Sequence, residues 1–238
     1  MKSTDIYNPA FVKSLFTEMS ATYGLTNLIS SLGFCQRWRN QCVNQITFKD
    51  GVTVYDLMSG MGECWRPIDR KLNSDSRLVA LDFCPEMCRR AERNAKHINH
   101  LGVDILEEDV LNNSIEDESA DCVISCFGLK TFSDEQKSRL AWGIKRILKP
   151  QGVFSLLEIS VPASKILRGP YMFYLRYIIP LIGRIFLGNP DNYRMLGIYT
   201  ERFNNCSGMA DALKHAGLEV EYRSFFFGCA SGLRGRKL

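Results

Sequence analysis

The chain has 238 residues, of which 45% are hydrophobic and 24% are charged, and its formal net charge is +4. These values predict one globular domain with a full hydrophobic core. The mild positive charge allows contact with an anionic surface but gives no indication of a nucleic-acid partner. The sequence contains no run of about 18 uncharged apolar residues, so no membrane span is predicted.

The N-terminus shows no targeting signal, and the cysteines indicate a reducing compartment. The first residues have neither the apolar core of a signal peptide nor the arginine-rich character of a transit peptide. The nine cysteines are odd in number and form no C-x-x-C pair. We therefore interpret them as small apolar residues rather than as ligands of a zinc site. The first 46 residues predict helices, in FVKSLFTEMSATYG and SLGFCQRWRNQCV.

Strand and helix signals alternate through the middle of the chain. Helices are predicted in PEMCRRAERNAKHI, in SDEQKSRLAWGIKRILKP, which ends at Pro150, and in a short segment that ends at about Leu72. This alternation is typical of a parallel sheet with helices on both faces. Residues 208–218 predict a further helix, and residues 219–230 predict an antiparallel hairpin edge. The predicted parallel strands are VTVYDLM (52–58), RLVALD (77–82), VDILEED (103–109), ADCVISCFG (120–128) and GVFSLLEIS (152–160).

The segment KILRGPYMFYLRYIIPLIGRIFLG (165–188) lies outside this alternating pattern. It is rich in aromatic and branched side chains, but cations and prolines interrupt it, namely Arg168, Arg176, Arg184, Pro170 and Pro180. These interruptions argue against a membrane span. They predict a helical lid or an interfacial segment whose cations meet lipid headgroups. An ordinary helix pair packed on the core is the alternative.

Three acidic residues close three successive predicted strands. Asp56 ends the first strand and is followed by Gly60 and Gly62, which let the backbone approach a ligand closely. Asp82 ends the second strand, where an acid can accept hydrogen bonds from both ribose hydroxyls. Asp109 ends the third strand and is placed to receive an adenine amino group. Together they predict a nucleoside site; the alternative is that acids merely end the strands.

The residues beside these acids narrow the class of ligand. Phe83 and Val110 follow two of the acids and are predicted to clamp an adenine ring. Trp65 occupies the position of the third glycine in a G-x-G-x-x-G motif. That departure disfavours a dinucleotide and favours an adenosine ligand without pyrophosphate. S-adenosylmethionine fits this description best.

Nearly the whole chain resembles the class I S-adenosylmethionine-dependent methyltransferases, and among them the ubiquinone/menaquinone C-methyltransferase family. The resemblance implies an α/β, Rossmann-like fold with a mostly parallel seven-stranded sheet and an antiparallel C-terminal hairpin edge. It implies one domain over 1–238, with an N-terminal helical cap (1–46) and a helical lid on the quinone side (165–204). Tyr23, Ser59 and Cys126 are implied to lie beside the cofactor. The segments that carry the resemblance are SLGFCQRWR, LDFCPEMCRRA, CFGLKTFSDEQKSRLAWGIKRILKPQGVFSLLEIS, YIIPLIGRIFLGNPDNYRMLGIYTERF and GCASGLRGRK.

The departures from that family cluster in two places. Met58 stands where the family has glycine or alanine, and Met61 stands where it has threonine. The pair Lys130-Thr131 replaces an Arg-Asn pair, which in the family is proposed to organise the water that deprotonates the quinol ring. Lysine is a flexible point charge and arginine a rigid fork of donors, so this exchange is not conservative.

The loop VYDLMSGMGECW resembles a narrower family, the rhodoquinone biosynthesis enzymes, which are methyltransferase relatives. This resemblance implies that ubiquinone is converted to rhodoquinone by replacing a ring methoxy group with an amino group. It implies S-adenosylmethionine as amino donor, Mn²⁺ as a helper ion, and a peripheral place on the inner membrane, on its cytoplasmic or mitochondrial matrix side. The alternatives are a quinol C-methyltransferase and a non-catalytic quinone- or cofactor-binding subunit.

A hard metal such as Mn²⁺ prefers carboxylate oxygens as ligands. Glu63, Asp109 and Glu158 are possible ligands by their location near predicted strand ends. No ligand spacing singles them out, so the sequence identifies no metal ligands.

The candidate catalytic residues carry open alternatives. Lys130 is predicted to polarise a quinone carbonyl, or else to be a solvated loop lysine. Glu63 is predicted to meet the amino group of the cofactor, or only to favour a helix N-terminus. Tyr193 is predicted to line the quinone pocket, or to pack in the core, and Arg202 to contact ring oxygens or an acid.

The two methionines of the loop and Trp65 carry a separate hypothesis. Bulk at Met58 and Met61 is predicted to re-aim the amino-acid portion of the cofactor, so that its nitrogen rather than its methyl group faces the ring. The alternative is a repacked loop that still methylates.

Overall fold

The computed structural model describes residues 5–20, 24, 29, 31–98, 101–185 and 189–238. Its centre is a seven-stranded sheet in the order β3-β2-β1-β4-β5-β7-β6. The first five strands are parallel, and β7 runs antiparallel between β5 and β6. The predicted fold class is therefore confirmed. The strands are β1 Thr53–Leu57, β2 Arg77–Asp82, β3 Val103–Glu107, β4 Ala120–Cys126, β5 Leu148–Ile159, β6 Leu218–Phe225 and β7 Ala230–Lys237.

The helices between the strands begin where the sequence supplies capping groups. The Ser133 hydroxyl accepts from the backbone N–H of Gln136, whose side chain accepts from the Ser133 N–H, a reciprocal pair that starts α5. Asn8 and Asn189 cap two other helices, each followed by a proline at the first helical position. The helices are α1 Pro9–Met19, α2 Phe34–Val43, α3 Trp65–Asp69, α4 Pro85–Ala95, α5 Asp134–Ile147, α6 Lys165–Phe173, α7 Ile179–Ile185, α8 Pro190–Phe203 and α9 Ser207–His215.

Two apolar clusters cover the two faces of the sheet. On one face, Trp38 of α2 and Ile68 of α3 pack with residues of the lid. On the other face, Leu140 of α5 packs with Met209 of α9. Helices on both faces account for the burial of the central strands β1, β2 and β4 over almost their whole length, as is typical of parallel sheets.

The lid differs from its prediction in one respect. Pro170 lies inside α6 and Pro180 inside α7, and a π-helical turn, Tyr174–Ile178, joins the two helices. The lid is helical, but its helical path continues through both prolines by way of this π-helical turn, which the sequence did not predict. Within the described part of the chain, no helix is long and apolar enough to cross a membrane.

Two predicted boundaries are also wrong. Pro150 was expected to follow a helix, but it lies in β5, which begins at Leu148 beside an irregularity in its pairing with β4. An irregular, edge-like stretch tolerates a residue without an N–H donor. The short helix after the glycine loop ends at Asp69 rather than near Leu72.

Candidate active site

A loop with three residues of positive φ follows β1. The φ angles are +57° at Met58, +58° at Gly60 and +84° at Gly62. Glycine takes this conformation without strain, whereas methionine does so rarely. The backbone N–H of Gly60 donates to Asp82 Oδ2 at 2.9 Å, which ties the loop to the end of β2.

Asp82 organises the backbone around it. Its second oxygen accepts from the N–H of Cys84 at 2.9 Å. Burial raises the pKa of Asp82, and the two backbone N–H donors act in the opposite direction. Each carboxylate oxygen has a further lone pair, so these bonds leave room for the predicted contact with ribose hydroxyls.

Asp56 lies beneath the loop and is bound to Trp65. The indole Nε1–H of Trp65 donates to Asp56 Oδ2 at 3.0 Å. Burial raises the pKa of Asp56 to about 8, against the opposing effect of this hydrogen bond. Trp65 is fully buried, and its ring packs so tightly on Gly62 that a Cβ there would collide with it. The ring therefore supports the loop from below instead of facing a ligand.

A cleft of about 930 Å³ opens above these groups. Met61 and Gly62 are not among the described residues that line it, and Met61 packs instead with Cys84 and Met87. Tyr23 lies outside the described residues. The structure brings together the other predicted cofactor residues and Glu63 on the cleft wall, namely Asp56, Met58, Ser59, Gly60, Glu63, Asp82, Phe83, Asp109, Val110 and Cys126.

The lining of the cleft fits an adenosine ligand with an amino-acid tail. The buried Ser59 hydroxyl has no hydrogen-bond partner in the described part of the chain, as a group that awaits a ligand would. Asp109 lies two residues beyond β3, and one of its oxygens accepts from the N–H of Leu111 at 2.9 Å. Its other oxygen can accept a hydrogen bond from a donor such as an adenine amino group.

Met58 fills the space above a glycine on the neighbouring strand end. A Cβ placed on Gly128 would lie 2.7 Å from Met58 Sδ. The side chain of Met58 therefore crosses from the loop after β1 to the turn after β4, along the wall of the cleft. A glycine at position 58 would leave this part of the cleft open.

Arg39 is a site residue that the sequence did not reveal. Its Nη2 lies 3.2 Å from Glu63 Oε1, and its guanidinium carbon lies 4.9 Å from the ring centroid of Phe127. It comes from α2, and all three residues line the cleft. The only available signal was the basic pair in QRWR, which lies in a segment far from the strand ends.

Lys130 forms a buried ion pair with Glu158. Its Nζ lies 3.0 Å from Glu158 Oε1 and donates to the carbonyl of Phe127 at 2.6 Å. The two charged side chains are 7% and 0% exposed. The alternative of a solvated loop lysine is therefore wrong. The sequence had placed Glu158 near the strand ends without indicating this partner.

A second, mostly apolar cavity of about 1460 Å³ lies beside the cleft. Lys130 and the buried Tyr193 border it, whereas Arg202 is exposed near the end of α8 and lines neither space. Phe16, Phe127 and Thr131 line both the cleft and the cavity. Phe127 has φ of +70°, an uncommon value for a bulky residue, and its carbonyl is the one held by Lys130.

Manganese does not fit the described residues. Within the described ranges, no group of three or more His, Cys, Asp and Glu side chains lies together as a metal site. Two of the three acids that the sequence offered as ligands are engaged with cations: Glu63 with Arg39 and Glu158 with Lys130.

The seven-stranded sheet and the acid-lined cleft at its carboxyl edge define the class I S-adenosylmethionine-dependent methyltransferase fold. Among solved structures, a methyltransferase of Thermotoga maritima described as a possible histamine N-methyltransferase aligns with a TM-score of 0.62 at 18% identity, covering 94% of this chain and 99% of that one. A methyltransferase of Aquifex aeolicus aligns with a TM-score of 0.59 at 16% identity, covering 84% and 89%.

Sequence comparisons give the family. The profile of the ubiE/COQ5 methyltransferase family matches residues 2–237, and the chain belongs to this family. The demethylmenaquinone methyltransferase of Thermotoga maritima is 30% identical over 217 residues, 91% of each chain. The ubiquinone/menaquinone biosynthesis C-methyltransferase UbiE of an Enterobacter species is 26% identical over 228 residues, 95% of this chain and 90% of that one.

Proposed function

We propose that this protein modifies the ring of a lipophilic quinone with S-adenosylmethionine. The observation that carries the proposal is the shared wall between the two spaces. An acid-lined cleft and a larger, more apolar cavity meet at Phe16, Phe127 and Thr131. Group transfer requires two reactants to be held side by side in a fixed geometry. The apolar cavity suits a prenylated ring better than a polar substrate.

The cofactor is proposed to lie along the carboxyl ends of β1, β2 and β3. Asp82 would accept from the ribose hydroxyls, and Phe83 and Val110 would pack against adenine. Glu63 and Asp56 also line the cleft, and the cationic amino-acid portion would fit beside them. When bound, S-adenosylmethionine supplies either an electrophilic methyl group or an amino nitrogen.

The quinone ring is proposed to lie against Lys130. A cation beside a quinone carbonyl stabilises the negative charge that builds on its oxygen when a nucleophile adds to the ring. Glu158 and the Phe127 carbonyl fix the Lys130 ammonium at the cavity wall. In this position Lys130 is preorganised and needs little movement during the reaction.

Quinol C-methylation is the ring reaction that the names of the relatives support. The similar proteins are named demethylmenaquinone methyltransferases and a ubiquinone/menaquinone C-methyltransferase. In this version the ring carbon of a deprotonated quinol would take the methyl group from the sulfur of S-adenosylmethionine, and S-adenosylhomocysteine would be the leaving group. The chain places Lys130 and Thr131 where the resembling family has the Arg-Asn pair for that deprotonation, and Lys130 is tied to Glu158.

Replacement of a ring methoxy group by an amino group, from ubiquinone to rhodoquinone, is the second candidate. Two contacts favour it, both made by residues that differ from the methyltransferase family pattern. Met58 packs against Gly128, and Lys130 forms an ion pair with Glu158. In this candidate the α-amino nitrogen would add to the ring carbon that bears the methoxy group, and methanol would leave. The bond from that nitrogen to the α-carbon of the cofactor would then break by transfer of an electron pair to the quinone ring and hydrolysis of the resulting imine, which leaves an aminoquinol and a 2-oxo acid. This addition benefits from a fixed cation at the carbonyl and needs no ring deprotonation.

One incubation separates the candidates. The protein is mixed with ubiquinone, in oxidised and reduced form, with a demethylated quinol, and with S-adenosylmethionine carrying heavy nitrogen on its α-amino group and deuterium on its methyl group. Amino transfer gives a product that is lighter by the difference between methoxy and amino groups and carries heavy nitrogen. Methylation of a demethylated quinol gives a heavier, deuterated product. No product from any quinone, despite measured cofactor binding, would favour a non-catalytic binding subunit. Repeating the incubation with and without Mn²⁺ tests the implied helper ion.

A peripheral place on the inner membrane, facing the cytoplasm or the mitochondrial matrix, is part of the proposal. One face of the lid lines the apolar cavity, through Leu167 and Tyr174. Large apolar side chains on the lid are exposed at about one-turn spacing, namely Phe173, Tyr177, Leu181 and Ile185. This amphipathic arrangement is typical of interfacial helices. Deleting residues 165–188 from a chain whose core stays folded is expected to abolish vesicle binding.

A further inference from the structure

The turn between β6 and β7 holds two phenylalanines with a strained backbone conformation and exposed side chains. Phe226 and Phe227 have φ of +44° and +55°, in the left-handed region that bulky residues rarely occupy. Their side chains are 48% and 79% exposed, and their ring centroids lie 5.6 Å apart. Backbone strain and exposed aromatic surface both cost free energy, and such costs are typical of binding sites.

This turn borders the opening of the apolar cavity. Phe226 lines the cavity, and its ring packs on Phe34 of α2 with centroids 4.5 Å apart. Tyr171 of α6, which also lines the cavity, donates a hydrogen bond of 3.0 Å to the carbonyl of Cys229. The turn and the ends of two helices therefore surround one entrance.

Two further apolar side chains extend the exposed surface. Leu32 is 82% exposed and also lines the cavity, so it marks where the cavity reaches the outside. Ile166 is 89% exposed and precedes Leu167, which lines the cavity. We call Leu32, Ile166, Phe226 and Phe227 the apolar rim.

The chain segments that supply the apolar rim carry cations and no acids. The three chain segments that supply it, residues 19–49, 159–190 and 222–238, contain no Asp or Glu. Arg37, Lys165 and Arg168 are exposed on the helices that carry or adjoin the rim. Cations beside an inserted apolar surface complement anionic lipid headgroups.

We propose that the apolar rim inserts into the lipid bilayer and opens the cavity directly to the hydrocarbon region. This inference rests on the proposed function, because a prenylated quinone dissolves in lipid and has to leave it to reach Lys130. Entry through the rim would keep the prenyl tail out of water throughout. A protein seated on the same surface would instead cover the entrance.

Phe227 provides a test that leaves the cavity lining intact. Asparagine tolerates the left-handed backbone, so Phe227→Asn relieves strain while it removes the exposed ring. Full-length protein is floated with vesicles of phosphatidylcholine and phosphatidylglycerol in equal parts. The variant is expected to partition on the order of tenfold more weakly than the wild type, since one aromatic side chain no longer enters the bilayer. The double variant Phe227→Asn with Ile166→Gln is expected to lose more.

The matched control is Trp142→Gln. Trp142 is an exposed aromatic on α5, which packs on the opposite face of the sheet from α6. It is expected to leave flotation unchanged. Equal flotation of the Phe227 variants and the wild type, or no flotation of the wild type, would overturn the proposal.

Turnover separates failure of this inference from failure of the proposed function. A quinone with one prenyl unit is presented in buffer, and a long-tailed quinone is presented in the vesicles. The Phe227 variant is expected to keep the first activity and to lose most of the second. If the wild type floats and the Phe227 variant does not, yet the wild type modifies neither quinone, the membrane inference stands and the quinone function fails. If the variant keeps both activities, the route through the rim is wrong.

Discussion

The cofactor cleft and the apolar cavity share a wall, but they are built in different ways. The acids and the glycines of the cleft lie within a few residues of the ends of adjacent parallel strands, where backbone donors hold them. The cavity is assembled from α1, α2, the helices α6, α7 and α8 of the lid, and the turn after β6, which are far apart in the sequence. The cleft therefore depends on strand order, whereas the cavity depends on how the helices dock.

The cofactor cleft and the apolar cavity also differ in how their buried charges are offset. In the cleft, backbone N–H groups offset the charge of Asp82. At the cavity, one buried cation, Lys130, is offset by one buried anion, Glu158. Backbone groups also contribute to the second arrangement, since Glu158 accepts from the N–H groups of Lys130 and Ile159, but only this arrangement contains an ion pair whose two side chains are both almost fully buried among the described residues. Removing one partner of that pair is thus expected to destabilise the protein more than any single substitution in the cleft.

Glu158→Gln tests this contrast most strongly. It leaves the Lys130 ammonium buried without its carboxylate, which typically costs about 3–5 kcal/mol in the free energy of unfolding. Denaturant unfolding measures the loss, and adding Lys130→Met to the variant is expected to restore part of it. The exposed pair Arg77–Asp104 is the control, because breaking a surface pair costs at most about 1 kcal/mol. Equal losses at both pairs would contradict the assigned role of the buried pair.

Asp82→Ala tests the cleft. It removes the acceptor of the Gly60 and Cys84 N–H groups and the proposed partner of the ribose, so cofactor affinity is expected to fall on the order of 100-fold. Isothermal titration with S-adenosylhomocysteine measures the change. Asp104→Ala, on the exposed side of the sheet edge, is expected to leave affinity unchanged. Tight binding by the Asp82 variant would remove the main argument for the position of the cofactor.

The contrast also explains what the sequence could predict. Asp82 and Asp109 were recognisable because strand patterns and parallel pairing place the strand ends at one edge of the sheet. The ion-pair partners of Glu63 and Lys130 were not recognisable. Arg39 reaches Glu63 only when α2 docks on the sheet, and Glu158 reaches Lys130 only when β5 pairs with β4. The local pattern around Phe226 and Phe227 predicted a strand and gave no sign of their left-handed backbone. Contacts that require long-range docking leave no local signal.

The pH dependence of stability is expected to distinguish the two spaces further. Asp56 has a pKa raised to about 8 by burial, so between its ordinary value near 4 and about 8 the folded state binds more protons than the unfolded state. This group therefore makes the folded protein less stable as the pH rises through that window, by up to about 1.4 kcal/mol per pH unit. Asp56→Asn keeps an acceptor for the Trp65 N–H and is expected to flatten the profile. Unfolding midpoints measured from pH 5 to pH 8 check this, and an unchanged slope would show that Asp56 is ionised throughout.

Met58→Gly tests the wall of the cleft that faces the turn after β4. Glycine relieves the positive φ at this position, worth about 1 kcal/mol, and it vacates the space above Gly128. These two effects oppose each other in stability, so the free energy of unfolding is expected to change little. The choice of product is expected to change more, because the amino-acid portion of the cofactor gains room to take another pose.

Met61→Thr is the matched comparison for Met58→Gly. Met61 was also predicted to re-aim the cofactor, but it packs against Met87 and Gly24 and does not line the cleft. We expect the ratio of aminated to methylated quinone to fall for Met58→Gly and to stay constant for Met61→Thr, as measured by mass spectrometry of the extracted quinones. A change of ratio at position 61 alone would mean that the loop acts through its packing rather than through the side chain that faces the cofactor. An unchanged ratio in both variants would leave the Lys130–Glu158 pair as the remaining determinant of which group is transferred.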